Sequence, residues 1–236
     1  MANYTHDVSV VVPVFRDAGA LACMLASTDF ARAEVIVAAT AGDASLDPVR
    51  AAHPGIVWLE APRGRARQMN AGAAAAHGRW LIFLHADTRL PRDWRDAIEA
   101  AERDPRVSLG CFRFALDSRS LFARAIEIGA RLRVTAFGLP YGDQALFVRR
   151  DAFNAIGGYA DIPIMEDVDL VGRLRAKGRL FRSSLPAVTS ARRWEEDGWI
   201  RRTARHLALI VRYLAGTPPE RLVRLAPARN RTRMYL

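Results

Sequence analysis

Apolar and polar residues in the first half of the chain follow the pattern of strands that alternate with helices. Residues 8–14 form an almost continuous β-branched run, which is typical of a strand covered on both faces, and Pro13 lies near its end. Further apolar runs predict strands at 34–39, 56–59 and 79–85. Helix-compatible stretches predict helices at 17–27, 65–77 and 93–102, with Gly78 as the C-cap of the second. This alternation predicts an α/β fold with a mostly parallel, twisted sheet flanked by helices.

The second half of the chain is less regular. It predicts strands at 107–116 and 145–148, helices at 121–133, 166–177 and 199–214, and a glycine-rich loop at 138–142. No repeat or low-complexity linker interrupts it, so we predict one domain over residues 1–215 and a basic C-terminal extension over 216–236. Since ligands bind such sheets at the carboxyl ends of the strands, we expect the loops at 13–17, 39–43 and 85–88 to share one rim.

Length and composition exclude several classes of protein. The chain has 236 residues, half of them hydrophobic, so it can bury a core without disulfides, and neither a disulfide scaffold nor a disordered tail fits. Its 35 basic and 25 acidic side chains leave a net charge of +10, and residues 187–236 hold 11 of the basic and 4 of the acidic ones. Two cysteines, no secretory signal over residues 1–7 and no run of 18 apolar residues predict a cytoplasmic protein.

His85 and Asp87 follow directly on one of the apolar runs. Side chains two positions apart share a side in an extended chain, so this imidazole and carboxylate can hold a divalent cation, Mn²⁺ at least as well as Mg²⁺. The alternative is a polar loop that caps the next helix.

A second acidic cluster, formed by Glu166, Asp167 and Asp169, stands where a helix should begin. Neighbouring residues on a helix point in different directions, so we expect the three carboxylates to have different tasks. A helix N-terminus favours the ionised carboxylate, which suits a general base. The alternative is the ordinary preference for acidic residues in a first helical turn.

Arginine and aromatic residues mark two further candidate sites. Arg63, Arg65 and Arg67 precede or open a helix and can bind phosphates, or can form a solvated basic loop. Arg193 and Trp194 follow a predicted strand, and the indole ring can stack on a sugar or belong to the core.

The stretch 199–214 predicts a basic amphipathic helix. Its apolar positions are Ile200, Leu207, Val211 and Leu214, and arginines occupy the other faces. Such a helix can lie on an anionic membrane surface, or it can pack its apolar face on the sheet.

In chain order these motifs resemble a GT-A glycosyltransferase of family 2. The matching stretches are VSVVVPVF at 8–15, RGRARQMNAGAAAAHGRWLIFLHADT at 63–88, YGDQALFVRRDAFNAIGGY at 141–159, MEDVDLVGRLRAKGR at 165–179 and SARRW at 190–194. Within that family, the chain resembles the small-protein subgroup described as radical-SAM/selenodomain-associated family 2 transferases. The resemblance covers residues 8–215 and implies a GT-A fold with C-terminal helices.

The resemblance also implies roles for residues at the matching positions. Asp87 lies in the family's DxD motif as the metal ligand on the donor diphosphate, with His85 in place of the first acid, and Asp167 matches the general base, with Glu166 beside it. Nucleotide-donor contacts are implied for Pro13, Phe15, Arg63, Arg67, Asn70 and Asp87. Acceptor contacts are implied for Asp143, Gln144, Arg193 and Trp194.

The activity implied by the resemblance is an inverting, metal-dependent transfer of a sugar from a UDP-sugar to an acceptor hydroxyl, with Mn²⁺ or Mg²⁺ as cofactor. The chain departs from the family at Ala39, where relatives usually carry an aspartate that recognises the base, so backbone groups or another nucleotide are alternatives. Nucleotidyl transfer is disfavoured, because FRDAG at 15–19 lacks the expected glycine-rich signature. The rival hypothesis is a degenerate, non-catalytic basic protein that binds nucleotides, nucleic acid or an anionic membrane surface. We expect no nucleic-acid partner, and we regard peripheral contact with the inner face of the membrane as compatible with the charge.

Overall fold

One mixed sheet of eight strands organises the molecule, and a computed structural model describes residues 6–225 of the chain. The strands are β1 (His6–Val14), β2 (Glu34–Thr40), β3 (Val57–Ala61), β4 (Gly78–Phe83), β5 (Thr88–Arg89), β6 (Val107–Leu116), β7 (Leu146–Arg149) and β8 (Arg179–Thr189). Their order across the sheet is β3-β2-β1-β4-β7-β6-β8-β5. The β3-β2, β2-β1, β1-β4 and β6-β8 pairs are parallel, and the β4-β7, β7-β6 and β8-β5 pairs are antiparallel. The α/β prediction is confirmed, with the parallel part concentrated in the N-terminal half.

Helices cover both faces of the sheet. Those in the described residues are α1 (Ala18–Ser27), α2 (Asp47–Ala52), α3 (Arg65–Ala75), α4 (Trp94–Glu102), α5 (Leu121–Phe137), α6 (Arg150–Ala155), α7 (Glu166–Arg175), α8 (Arg192–Asp197), α9 (Trp199–Leu214) and α10 (Pro219–Leu225). Two short 3₁₀ turns occupy Ala44–Leu46 and Gly142–Gln144.

The central strand β1 is buried on both faces because its apolar residues are almost uninterrupted. Val10 and Val12 point into a core shared with α1, α2 and α4, whereas Val11 points into the opposite core with α3, α6 and α7. Burial of each such valine contributes roughly 1.5–3 kcal/mol. The strand therefore anchors both layers, and the loop that follows it is held at a defined place.

Two glycines allow the chain to pack tightly against β1. A Cβ atom on Gly72 would lie 2.4 Å from Cγ1 of Val11, so α3 can approach the strand only with glycine at this position. A Cβ atom on Gly78 would lie 2.4 Å from the backbone nitrogen of Ser9. The predicted role of Gly78 as a helix C-cap is wrong: α3 ends at Ala75, and Gly78 begins β4, where it fits closely beside β1.

The antiparallel strand β7 brings the second half of the chain to the rim where β1, β2 and β4 end. Leu146 at the start of β7 pairs with Phe83 at the end of β4, so the Gly142–Gln144 turn lies beside the loop that follows β4. Strand β8 ends at the same rim, where Thr189 pairs with Thr88. The prediction of a mostly parallel sheet rests on the alternation of helices and strands in the first half of the chain. The short strand β7 is buried without alternation, so its own residues do not reveal that it runs antiparallel to β4.

Helix α5 is longer than the predicted helix at 121–133. The Ser120 side chain accepts a hydrogen bond from the Phe122 N–H at its start, and the helix runs on to Phe137. Gly138 ends it in the left-handed region, with φ of 60°, and donates its N–H to the carbonyl of Val134.

Helix α9 has the predicted bounds but does not pack with the predicted residues. Leu209 and Ile210 are buried, and Arg202 is buried over the Trp194 ring with an ion pair to Asp197 at 2.7 Å. The four apolar residues singled out from the sequence, Ile200, Leu207, Val211 and Leu214, are all exposed. The alternative in which this face packs on the sheet is therefore wrong.

Part of the predicted extension at 216–236 is packed against the rest of the protein. Leu222 of α10 is fully buried beside Ile164 and Leu209, whereas residues 226–236 lie outside the described part of the chain. Within residues 6–225, every helix is too short or too polar to span a bilayer.

Candidate active site

The loops that follow β1, β2 and β4 meet at one rim, as predicted. The backbone N–H of Arg16 donates to Asp43 Oδ2 at 2.7 Å, which ties the loop after β1 to the loop after β2. Phe15, Arg16 and Asp43 line an open hollow of about 500 Å³. The guanidinium of Arg63 lies 4.8 Å from the centre of the Phe15 ring, so this hollow has an aromatic wall with cations beside it.

A narrow cleft of about 60 Å³ lies next to this hollow and shares Phe15 with it. Pro13, Arg65, Asp87 and Arg193 are among its lining residues. Two guanidinium groups therefore face a space bounded by the ends of β1 and β4, which is an arrangement suited to phosphate oxygens.

His85 and Asp87 both line this cleft, but not for the predicted reason. Strand β4 ends at Phe83, and the two residues lie in a turn that the hydrogen bond from the Thr88 N–H to the His85 carbonyl closes, rather than in an extended strand. The Asp87 carboxylate lies 3.6 Å from Nη2 of Arg193, which lies at the same distance from Asp17. Burial, together with the charges of Arg65 and Arg193, holds the pKa of His85 well below its ordinary value, so the imidazole is neutral. The pair thus offers one carboxylate and one neutral nitrogen donor.

The cluster at the start of α7 has three separate partners, as predicted. Glu166 is buried and forms an ion pair with Arg65 at 3.2 Å, and burial raises the pKa of its carboxyl although the arginine opposes the rise. Asp167 Oδ2 accepts the N–H of Gly142 at 2.7 Å. Asp169 accepts a hydrogen bond from Nε of Arg173 at 2.8 Å. Glu166 therefore holds Arg65 in place, and Asp167 is the member that lies next to the turn before β7.

Asp143 lies in a cavity of about 140 Å³ that also contains Asp87 and Asp167. Its Oδ1 is buried and has no hydrogen-bond partner within residues 6–225. Burial raises the pKa of Asp143 to about 6, and the charges of Asp167 and Asp87 add to the rise while Arg133 opposes it. The carboxyl group is therefore poised to change its protonation state near neutral pH.

Trp194 and His206 form the far wall of the same cavity. Their rings are 6.3 Å apart in an edge-to-face arrangement. Burial, with the charges of Arg202 and Arg205, lowers the pKa of His206 to about 3, so this imidazole is also neutral. Trp194 is a core residue that also lines the cavity, so its interpretation as a core residue is confirmed, and stacking on a sugar stays a prediction.

Three predicted site residues make contacts away from these cavities. Arg67 pairs with Asp161 at 2.8 Å on the surface. The Asn70 side chain bridges the backbone N–H and carbonyl of Tyr159. The Gln144 side chain is buried and bonds Arg133 and the carbonyl of Phe112. These side chains hold α3 and the turn before β7 in position, and they are not among the lining residues of the three cavities described above. Their predicted donor and acceptor contacts stay predictions.

Sequence reasoning missed several residues that shape the site. Arg65 was grouped with its neighbours, although its place as the first residue of α3 could have singled it out. Gln68 is buried and its side chain donates to the carbonyls of Val14 and Ala38 at 2.7 and 2.8 Å, which joins the ends of β1 and β2. His206 reaches the cavity through the packing of α9, and no local pattern signals this.

Comparisons with known proteins identify a family for the chain. A family model described as glycosyl transferase family 2 matches residues 9–160. The protein named pre-mycofactocin glycosyltransferase in two strains of Mycobacterium tuberculosis is 29% identical over 217 residues, which covers 84% of this chain and 46% of the relative. The chain thus spans less than half the length of the curated relatives it matches.

Solved structures show the same fold. S. aureus TarS 1–349 in complex with UDP-GlcNAc has a TM-score of 0.57 and 15% identity over 78% of this chain and 58% of TarS. The complex of the same protein with UDP has a TM-score of 0.58 and 15% identity over 78% and 60% of the two chains.

Proposed function

The chain belongs to glycosyl transferase family 2, and from that membership we propose that it transfers a sugar from a UDP-sugar to an acceptor hydroxyl with inversion at the anomeric carbon. The observation that carries the proposal is the order of the cavities along the rim. The aromatic hollow at Phe15 is followed by the basic cleft between Arg65 and Arg193 and then by the cavity that contains Asp143 and Asp167. This order matches a base, a diphosphate and a reacting sugar laid end to end.

The donor would lie with its base on Phe15 and its phosphates between Arg65 and Arg193. The Phe15 ring offers a stacking face, and Asp43 at the neighbouring loop offers carboxylate oxygens in place of the aspartate that relatives carry at position 39. The pair of TarS complexes with UDP-GlcNAc and UDP supports a uridine nucleotide as the first probe. Glu166 keeps the Arg65 guanidinium in the cleft, where it binds the phosphates.

Asp87 and His85 are the residues that would hold a divalent cation, Mn²⁺ or Mg²⁺. Within residues 6–225, no three His, Cys, Asp or Glu side chains converge as a metal site, so the donor phosphates would complete the coordination. A carboxylate oxygen and a neutral imidazole fit this requirement. When bound, the cation supplies charge neutralisation to the leaving diphosphate.

Asp167 is the proposed general base. Its two oxygens accept the backbone N–H groups of Gly142 and Val168 at 2.7 and 2.9 Å, which fixes the carboxylate in one orientation. Each oxygen retains lone-pair capacity for the acceptor hydroxyl. As the hydroxyl oxygen attacks the anomeric carbon from the side opposite the diphosphate, Asp167 takes its proton, and a single displacement of this kind inverts the configuration. Asp143 and Arg193 border the same space and would orient the acceptor.

Contact with an anionic membrane through α9 is a further part of the proposal. The exposed apolar residues Val211 and Leu214 lie on the same helix as Arg201, Arg205 and Arg212. A helix of this kind can rest on a charged bilayer surface.

Calorimetric titration of UDP and GDP tests the donor site. We expect UDP to bind more tightly with Mn²⁺ present, and we expect Asp87→Ala to weaken that binding by about tenfold or more. Asp167→Asn should bind UDP normally and lose transfer, measured as UDP release from a UDP-sugar. Asp161→Asn is the matched control, because it removes an exposed carboxylate that pairs with Arg67 outside the cavities.

Two results would contradict the proposal. Nucleotide binding that is unaffected by both Mn²⁺ and Asp87→Ala would remove the proposed metal site, and normal transfer by Asp167→Asn would remove the proposed base. Steeply salt-dependent binding of nucleic acid without any nucleotide binding would favour the rival basic-protein hypothesis.

A further inference from the structure

A large apolar groove lies between α5 and α9. Its volume is about 760 Å³, within the range of roughly 300–1,000 Å³ that is usual for small-molecule sites. Phe122, Ile126 and Leu132 contribute to one wall, and Trp199, Ile200 and Leu207 contribute to the other.

The groove opens into the proposed active site. Tyr141, Asp143, Trp194 and His206 line both the groove and the cavity that contains Asp167. A molecule lying in the groove would therefore have one end beside the carboxylates that handle the acceptor hydroxyl.

Large hydrophobic side chains on both walls are exposed. The exposed fractions are 51% for Phe122, 62% for Leu132, 71% for Ile200 and 61% for Leu207. Contiguous apolar surface of this kind is uncommon on soluble proteins and marks an interaction site. The Phe122 and Trp199 rings are stacked at 6.4 Å across the groove, which gives it aromatic walls.

The charge of the walls restricts the occupant. Arg133 and Asp143 are the charged residues among those that line the groove, and Arg133 lies over the Tyr141 ring and donates to the Leu139 carbonyl. His206 is neutral at its inner end. A sugar polymer or a nucleic acid needs polar partners along its length, and these walls supply few.

We infer that the acceptor is an amphiphile, whose hydroxyl-bearing end lies at Asp143 and Asp167 and whose apolar body, an alkyl chain or ring system, lies in the groove between α5 and α9. This inference rests on the proposed function. The groove is concave and shares walls with the proposed active site, which favours a single bound molecule over a bilayer surface. Val211 and Leu214 are also exposed on α9 but lie outside the groove, so the surface available to a bilayer is a different part of the helix.

A larger side chain at Gly129 would occupy the groove. Gly129 lies on α5 among the lining residues, and a Cβ atom there would meet nothing in residues 6–225 within 4 Å apart from its chain neighbours and the backbone of its own helix. Gly129→Leu therefore adds an isobutyl group to empty space, and replacement of a helical glycine favours folding. Gly172→Leu on the exposed face of α7 is the matched control, because its Cβ position is equally open.

The probes are octyl β-D-glucoside, below its micelle-forming concentration, and methyl β-D-glucoside, which has the same sugar without the alkyl chain. Binding is followed by tryptophan fluorescence, since Trp194 and Trp199 line the groove. We expect the octyl glycoside to bind at least about tenfold more tightly than the methyl glycoside, and Gly129→Leu to abolish most of that preference while Gly172→Leu retains it.

Equal binding of the two glycosides, or equal behaviour of the two variants, would overturn the inference. Flotation with anionic phosphatidylglycerol vesicles in the absence of any alkyl preference would also overturn it, because the face would then be a membrane surface. UDP binding does not involve the groove and distinguishes the two proposals. If UDP binds in a metal-dependent way but the octyl glycoside binds no more tightly than the methyl glycoside, the amphiphilic acceptor is refuted and the transferase proposal stands. If the octyl glycoside is preferred but neither the wild type nor the variants bind UDP, the transferase proposal is refuted.

Discussion

Replacement of Asp143 by asparagine is expected to stabilise the folded protein at neutral pH. The carboxyl group is buried in the candidate active-site cavity, its Oδ1 has no hydrogen-bond partner among the described residues, and its pKa is raised to about 6. Relative to an ordinary value of 3.8, this rise corresponds to about 3 kcal/mol of unfavourable free energy when the group is fully ionised. An active site that holds such a group gives up stability for function.

The dependence on pH has a definite sign. Between the two pKa values the folded protein retains a proton that the unfolded chain has lost, so the free energy of unfolding falls as the pH rises from 3.8 to about 6. Asparagine does not titrate, and the variant therefore gains stability relative to wild type as the pH rises. Between about pH 5 and pH 8 this difference should grow by roughly 1.4 kcal/mol, since the folded group is still largely protonated at the lower pH.

Urea denaturation at about pH 5, 6, 7 and 8 measures the difference directly. Asp161→Asn is the control: the hydrogen bond from Arg67 lowers the pKa of Asp161, so its removal should change the unfolding free energy by the same amount at all four pH values. If the free energies of unfolding of wild type and Asp143→Asn differ by the same amount at all four pH values, the carboxyl group is not desolvated and the reasoning fails.

Two further substitutions test how the site is held together. Gly142→Ala should reduce transfer by about tenfold or more while leaving the thermal midpoint of unfolding within a few degrees of wild type. The reason is that a Cβ atom there would lie 2.9 Å from His85 Nε2 and 3.4 Å from Asp167 Oδ2. A normal kcat in a UDP-release assay would contradict this. Gln68→Leu should lower the free energy of unfolding by about 2 kcal/mol or more, because two buried strand-end carbonyls lose their donor, and a change below about 0.5 kcal/mol in urea denaturation would contradict it.

Much of the fold could be predicted from the sequence because local patterns carry it. The β-branched run that contains Val11 predicts a strand buried on both faces, and the bounds of β6 and α9 match the predictions at both ends. The rim that holds Phe15, His85 and Asp87 could be predicted as well, since the ends of parallel strands meet wherever the strands alternate with helices.

The candidate site likewise has features that local sequence predicts and features that depend on packing. Adjacent residues on a helix point in different directions, so Glu166 and Asp167 could be expected to have different partners. In the structure Glu166 pairs with Arg65, and Asp167 accepts the N–H of Gly142. Arg67 was expected in the donor site from its motif, yet it pairs with Asp161. A motif specifies the residue type at a position, but the direction of a long side chain is decided by the neighbours that packing supplies.

By itself, then, the sequence determined the order of the elements, the central buried strand and the residues that stand at strand ends, because these depend on periodicity and on near neighbours. Only the tertiary structure decided that β7 runs antiparallel, that Oδ1 of Asp143 is buried without a hydrogen-bond partner among residues 6–225, and that α5 and α9 leave an apolar groove beside it. Burial and its effect on a pKa depend on every segment that packs around a group. Those segments come from distant parts of the chain, so no local pattern contains them.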